Sequence, residues 1–263
     1  MNIRLLFIST LFIFLFVACN GLEQKEIIET WSAQTPLDFK EELIRTHIER
    51  KLNLQADDIG SVVLFSAHLN EDGIEDGLVV LNLSPKAKKD MENSSNSARF
   101  HDAGYIGDYN YLIIWDGETR QLGGAFKLVG NGLIPLKVEL THLLDPGYKT
   151  VRAEYRVLNT IFHTYLHNYN GSLLPVFSFT VADLIGDPNM KTYVHVLEEN
   201  PNQIQKDIVI YSASWPSYEE EEAAKNKYSY PLGSLNSTGQ QVYRFFFDIN
   251  SGKYASNDTP PSN

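Results

Sequence analysis

The chain has 263 residues, 43% of them apolar and 12% aromatic, with 22 basic and 33 acidic side chains, enough apolar material to bury a core and too much for a disordered polymer. A net charge of −11 without any Lys/Arg cluster excludes a nucleic-acid footprint, which needs grouped cations to displace counterions from phosphates, and opposes adsorption to anionic lipid headgroups. The single cysteine, Cys19, rules out an intramolecular disulfide, a Cys-ligated metal cluster and a cysteine nucleophile in the folded body.

Residues 1–18 carry one cation at Arg4, then an apolar run from Leu5 to Val17 broken only by Ser9 and Thr10. This is the shape of a secretory signal peptide, and its apolar stretch of about 13 residues is shorter than the ~20 that a helix needs to span a bilayer. The string Phe16-Val17-Ala18-Cys19 resembles the lipobox of bacterial lipoproteins, with Phe16 standing where Leu is usual. The resemblance implies cleavage before Cys19, acylation of its sulfur and residence in the cell envelope. At about 0.8 kcal/mol per buried acyl CH₂, two or three chains hold such a protein on a membrane without help from its fold. Asn20 occupies the place where aspartate would resemble an inner-membrane retention signal, so the outer membrane is the expected address, with its face left open.

Residues 19–36 read as a polar tether with a short helix near residues 27–31. A single mostly β domain then occupies residues 37–255, and residues 256–263, with Pro260-Pro261, read as a disordered tail. The domain opens on an amphipathic helix over residues 37–52, where Leu43, Ile44, Ile48 and Leu52 fall at helical spacing.

Beyond Gly60, short runs rich in Val, Ile, Leu, Tyr and Phe alternate with Gly, Asn, Asp and Pro. The pattern predicts strands over residues 61–67, 77–83, 110–115, 124–128, 136–142, 150–158, 161–169, 173–180, 193–197, 207–212 and 241–248. Residues 84–107 are polar and without period, which predicts an excursion loop, and Glu219–Glu222 predict a short exposed helix or charge run. The fold class expected is mainly β and antiparallel, with one N-terminal helix. Its strands read as a repeat-like array, either an open propeller-like stack or a sandwich.

A weak internal repeat carries that last expectation. Residues 67–81 align without a gap on residues 141–155, matching His68 with His142 and Gly73 with Gly147, and a looser third copy starts at His195 and resumes at Asp207. Residues 111–117, 164–171 and 243–252 are each a strand running into a turn that ends in Gly, as antiparallel hairpins require. Three hairpin-built units suit three blades, fewer than the four that usually close a propeller.

The segment from His68 to Asp76 resembles the calcium loop of FG-GAP and VCBS-type repeats, with Asn70, Asp72, Gly73 and Asp76 at matching positions. The resemblance implies calcium held by Asn70, Asp72 and Asp76; His68 stands where the first anionic ligand belongs, and Val79 where an EF-hand has its bidentate Glu. A purely structural turn is the other reading. His68, His142 and His195 would meet on an axis if the repeat were symmetric. His163 and His167 share one face of a strand with Tyr165 between them, about 13 Å apart, and cannot grip one metal. No His-Glu-x-x-His, Gly-x-Ser-x-Gly or phosphate-loop string occurs.

Trp215, Tyr218, Tyr228 and Tyr230 cluster in an expected loop region and form a candidate binding face. Together these features describe a lipid-anchored envelope protein that acts as a binding module for an envelope protein or glycan. Calcium is the only cofactor implied. Two alternatives stand beside it: an envelope hydrolase with a spatially assembled carboxylate and histidine site, and a structural or assembly accessory.

Overall fold

The computed structural model describes residues 41–95, 97–102 and 105–256. The expected signal peptide and tether, Cys19, the first turn of the predicted helix and residues 257–263 lie outside them. Among the described residues the chain is mainly β, 50% strand and 14% helix, in two antiparallel sheets that do not close into a barrel.

The helix α1 spans Glu41–Leu52. Twelve strands follow among the described residues: β1 Ser61–Ala67, β2 Asp76–Asn82, β3 Ile106–Asp116, β4 Gln121–Asn131, β5 Lys137–Thr141, β6 Thr150–Val157, β7 Thr160–Tyr169, β8 Ser172–Asp183, β9 Lys191–Glu198, β10 Asp207–Ser214, β11 Asn236–Asp248 and β12 Lys253–Ala255. The polar stretch expected to be a loop instead forms two helices, α2 Ser84–Glu92 and α3 Ser97–Asp102. Pro85 near its first turn favours α2, and Lys86 reaches Asp90 one turn later at 3.0 Å. The acidic run forms α4, Glu220–Lys225.

Strands β1 to β4 form one sheet in chain order, and β5 to β12 a second, also in chain order. The second sheet is nearly divided, because β8 and β9 pair at only two positions, Ala182 with Thr192 and Asp183 with Lys191. The strands therefore fall into three successive four-stranded meanders, β1–β4, β5–β8 and β9–β12.

These meanders pack face to face. Leu78, Val80, Leu112 and Ile114 of the first meet Val151, Ala153, Leu166 and Leu173 of the second in one core. On the opposite face of the first, Val79, Leu81 and Ile113 pack on Ile44 and Ile48 of α1. Strand β2 is thus buried on both faces, which is why it reads as an unbroken apolar run rather than an alternating one. The second meander's other face meets the third through Tyr165, Phe177, Ile208, Ile210 and Tyr254. There the rings of Phe177 and Phe245 lie 4.6 Å apart.

Candidate functional site

Each meander begins with a strand, an eight-residue connection and a second strand: residues 68–75, 142–149 and 199–206. Alternate connections of an antiparallel meander emerge at the same end. The tight turns at residues 117–120, 170–171 and 249–252 therefore share that end with the three long loops. Backbone bonds join the loops in a row: the Lys149 N–H donates to His68 O at 2.7 Å, and the Lys206 N–H to Leu143 O at 3.0 Å. At the same end the Gly124 N–H donates to Gly171 O at 3.1 Å.

This loop end displays large aliphatic and aromatic side chains that the cores do not use. Ile204 is 64% exposed and Ile249 73%, and Ile74 and Tyr169 are also exposed. Between the second and third loops lies a cleft of about 360 Å³, lined among others by His142, Asp145, Pro146, Glu199, Gln203 and Ile204. Lys206 pairs with Glu199 at its rim, at 2.9 Å.

The first loop is held by its own side chains. Asn70 Oδ1 accepts the Asp72 N–H at 3.0 Å, Asp72 Oδ1 accepts the Ile74 N–H at 2.7 Å, and Gly73 supplies the left-handed backbone, at φ +71°. Asp76, wholly buried at the start of β2, accepts the Gly117 N–H at 3.1 Å, and its second carboxylate oxygen has no partner. Burial pushes the Asp76 carboxyl above the usual carboxylate range, and the charges of Asp72 and Asp116 push the same way. Against a calcium ion the fit is partial. Two of the expected oxygens already hold backbone N–H groups, His68 is exposed, and no group of three His, Cys, Asp or Glu ligands forms among the described residues. The orphaned oxygen of Asp76 is the one observation in favour of a cation.

The three aligned histidines do not meet. His68 and His142 each open one of the eight-residue loops, but the residue at that place in the third loop is Glu199. His195 lies four residues earlier, inside β9 and opposite Ile210. The loop from Glu199 to Lys206 has no Gly to mark its turn, so the sequence alone does not fix the register of the third copy.

His195 instead joins a polar ladder between the second and third meanders. As expected, His163, Tyr165 and His167 share a face of β7, and Arg152 and Glu154 of β6 stand beside Tyr165 and His163. The His163 Nε2 lies 3.0 Å from Glu154, which Lys137 holds from its other side at 3.0 Å. Burial opposes the charge on Glu154, yet His163 and Lys137 together hold its carboxyl down at about 2. The Tyr165 hydroxyl pairs with His195 Nε2, Arg152 Nη1 lies 3.3 Å from the same nitrogen, and Glu139 pairs with Arg152. The sequence hides this ladder because Arg152, Glu154 and Arg156 alternate with Val151, Ala153 and Tyr155 exactly as a solvent-facing row would. Only the third meander, folded over them, makes them interior.

The expected aromatic binding face is corrected by packing. Trp215 and Tyr230 are buried, each 8% exposed, and with Tyr218 they stack at ring distances of 5.3–5.7 Å as the core of the excursion between β10 and β11. The Gly186 N–H donates to the Tyr218 hydroxyl at 3.0 Å, and the Glu219 N–H to the Tyr230 hydroxyl at 2.9 Å. Tyr228, outside that stack, is half-exposed, with the Lys227 ammonium 4.9 Å from its ring centre.

No family model, curated protein or solved structure matches the chain.

Proposed function

We propose that the chain is a lipid-anchored cell-envelope binding module: an open, propeller-like stack of three repeats whose first loops form one recognition surface. The observation that carries this reading is the row of three eight-residue loops, joined by backbone bonds, with Ile74 and Ile204 exposed on the first and third and Ile249 exposed in a tight turn of the same end. The repeat is supported by the equal loop lengths and by the buried residue that starts each second strand, Asp76, Thr150 and Asp207. Solvent-exposed aliphatic tips around a cleft suit a macromolecular partner. Glu71, Asp72, Glu75, Asp145 and Glu199 outnumber Lys149 and Lys206 in these loops, so the partner surface expected is a protein with a basic rim.

Anchoring rests on the lipobox-like Phe16-Val17-Ala18-Cys19. Intact mass of the protein from its own membranes should show an acylated Cys19, and the Cys19→Ala variant should be released; an unmodified soluble product overturns the anchor. Recognition is tested by a photo-crosslinking residue at Ile204 in intact cells, beside one at Leu158 in the β6–β7 turn of the opposite end. A discrete adduct from position 204 alone supports the loop-end surface, and equal labelling from both positions refutes it.

The hydrolase alternative keeps one observation, the Glu154–His163 pair with His163 Nδ1 buried and unpartnered. That pair lies beneath the third meander, away from the loop-end cleft.

A further inference from the structure

We propose that the interface between the second and third meanders is a proton-sensitive latch. Proton uptake by His163 and His195 loosens the third meander and so breaks up the cleft between residues 142–149 and 199–206.

The geometry demands a neutral His195. Its Nε2 faces both the Tyr165 hydroxyl and the Arg152 guanidinium, and a guanidinium only donates. The nitrogen must therefore be a bare acceptor, with the ring proton on Nδ1. Protonating it would set an N–H against Arg152 and force the Tyr165 hydroxyl to turn. His163 is arranged in the same sense: Nε2 serves Glu154, and Nδ1 is buried without a partner, so a proton there would be an unsatisfied donor. The two rings are 5.7 Å apart, centre to centre, and both touch Phe179.

Nothing facing them is free to take up the added charge. The second meander contributes Lys137 and Glu139 from β5, Arg152 and Glu154 from β6, and Tyr165 from β7, whose formal charges sum to zero and whose carboxylates are already engaged. Strand β8 gives Val176, Phe177 and Phe179 to this interface, none of them titratable. The third meander contributes Tyr193 and His195 from β9, Tyr243 from β11 and Tyr254 from β12, with no carboxylate. Burial accordingly holds both imidazoles below the ordinary histidine range, and the Arg152 charge adds to the effect at each.

The hinge is also present. Only two residue pairs join β8 to β9, and the link between them carries left-handed backbone at Leu184, φ 56°, and Gly186, φ 82°.

The closed state prefers neutral imidazoles, whereas an opened one titrates near pH 6.5. Closure is therefore fully favoured above pH 6.5 and weakens as the pH falls below it. Each histidine shifts the equilibrium toward opening by up to about tenfold at pH 5.5.

The test is hydrogen–deuterium exchange of the whole protein at pH 7.5 and 5.5, corrected for intrinsic rates and run without a partner, so that it stands apart from crosslinking at position 204. The coupling to the cleft alone rests on the loop-end reading. Acid should speed exchange in β9–β11 about tenfold or more while β2 and β3 stay protected. The His163→Gln/His195→Gln variant should abolish the difference, since one amide still donates to Glu154 and the other still accepts from Tyr165. Unchanged exchange in the third meander, an equal acid effect in the variant, or equal acceleration in all three meanders overturns the latch. Should the variant not fold, a wild-type NMR titration decides: His163 and His195 titrating together at ordinary values without loss of protection overturns the proposal, and depressed titration with that loss upholds it.

Discussion

Replacing Arg156 by Met tests how the excursion between β10 and β11 is held. Arg156 is 5% exposed at the end of β6; its guanidinium donates to Lys227 O at 2.9 Å and to Tyr230 O. Burial with no ion-pair partner pushes it down to about 10, a sign that the fold bears roughly 3 kcal/mol to keep the cation there. Two bonds from a charged donor contribute about 1.5–3 kcal/mol each. Met fills similar space, removes both bonds and relieves the buried charge, leaving a net loss of up to about 3 kcal/mol. The loss should be local, because Asn131 Nδ2 donates to Tyr228 O at 3.1 Å and the Trp215–Tyr218–Tyr230 stack remains. The open population of the excursion should rise by up to roughly 150-fold. Trypsin reads this directly, since Lys225 and Lys227 are exposed and a cut after either needs that segment released. Arg156→Lys, which keeps the charge with fewer donors, should fall between. Unchanged cleavage rates in Arg156→Met, with an unchanged urea midpoint, would show that the aromatic stack alone holds the excursion and that the clamp argument is wrong.

Other perturbations probe other junctions. Gly123→Ala should cost about 2–3 kcal/mol in urea unfolding, because a Cβ would stand 2.0 Å from Gly171 O where the first two meanders touch; Gly124→Ala, whose nearest contact is a Ser172 hydroxyl at 3.3 Å, is the control and should cost under about 1 kcal/mol. Asn82→Ala should cost about 3 kcal/mol, since buried Asn82 donates to Asn110 Oδ1 at 2.9 Å and Gly132 O at 3.0 Å and accepts the Ser84 N–H at 3.0 Å. A loss below about 1 kcal/mol would mean water replaces that network. If calcium binds beside Asp76, adding it should raise the wild-type Tm and leave Asp76→Asn unmoved; no rise in the wild type retires the ion.

Local patterning made the strands legible. All eleven expected strands form, and β1 has the expected ends, because its apolar run stops at Gly60 and at the His68 loop. The strand that patterning does not show, β12, is three residues long and is set by its pairing with β11, Phe246 to Asp248 opposite Ala255 to Lys253. The helices α2 and α3 escape the sequence pattern for the opposite reason. Residues 84–102 offer little apolar periodicity, and α2 is fixed instead by Ala87 against the first meander's core and by Lys89 reaching Asp57 and Asp58 at 2.7 and 3.0 Å.

The candidate sites were less legible, since a face is assigned by what covers it. The period-two rule placed His163, Tyr165 and His167 together, yet it says nothing of whether that row meets water or another sheet. Trp215 and Tyr230 show the converse: a stretch rich in Ser, Pro and Glu reads as exposed, while its two large rings turn inward as its anchor. Loop length and residue matching part company at the third loop. Residue matching placed His195 beside His68 and His142, whereas equal eight-residue connections place Glu199 there. Spacing between strands is constrained by the backbone bonds that tie Lys149 to His68 and Lys206 to Leu143, and those bonds are indifferent to side-chain identity. The loops are thus free to differ in chemistry while keeping their places in the row, the property on which the proposed recognition surface rests.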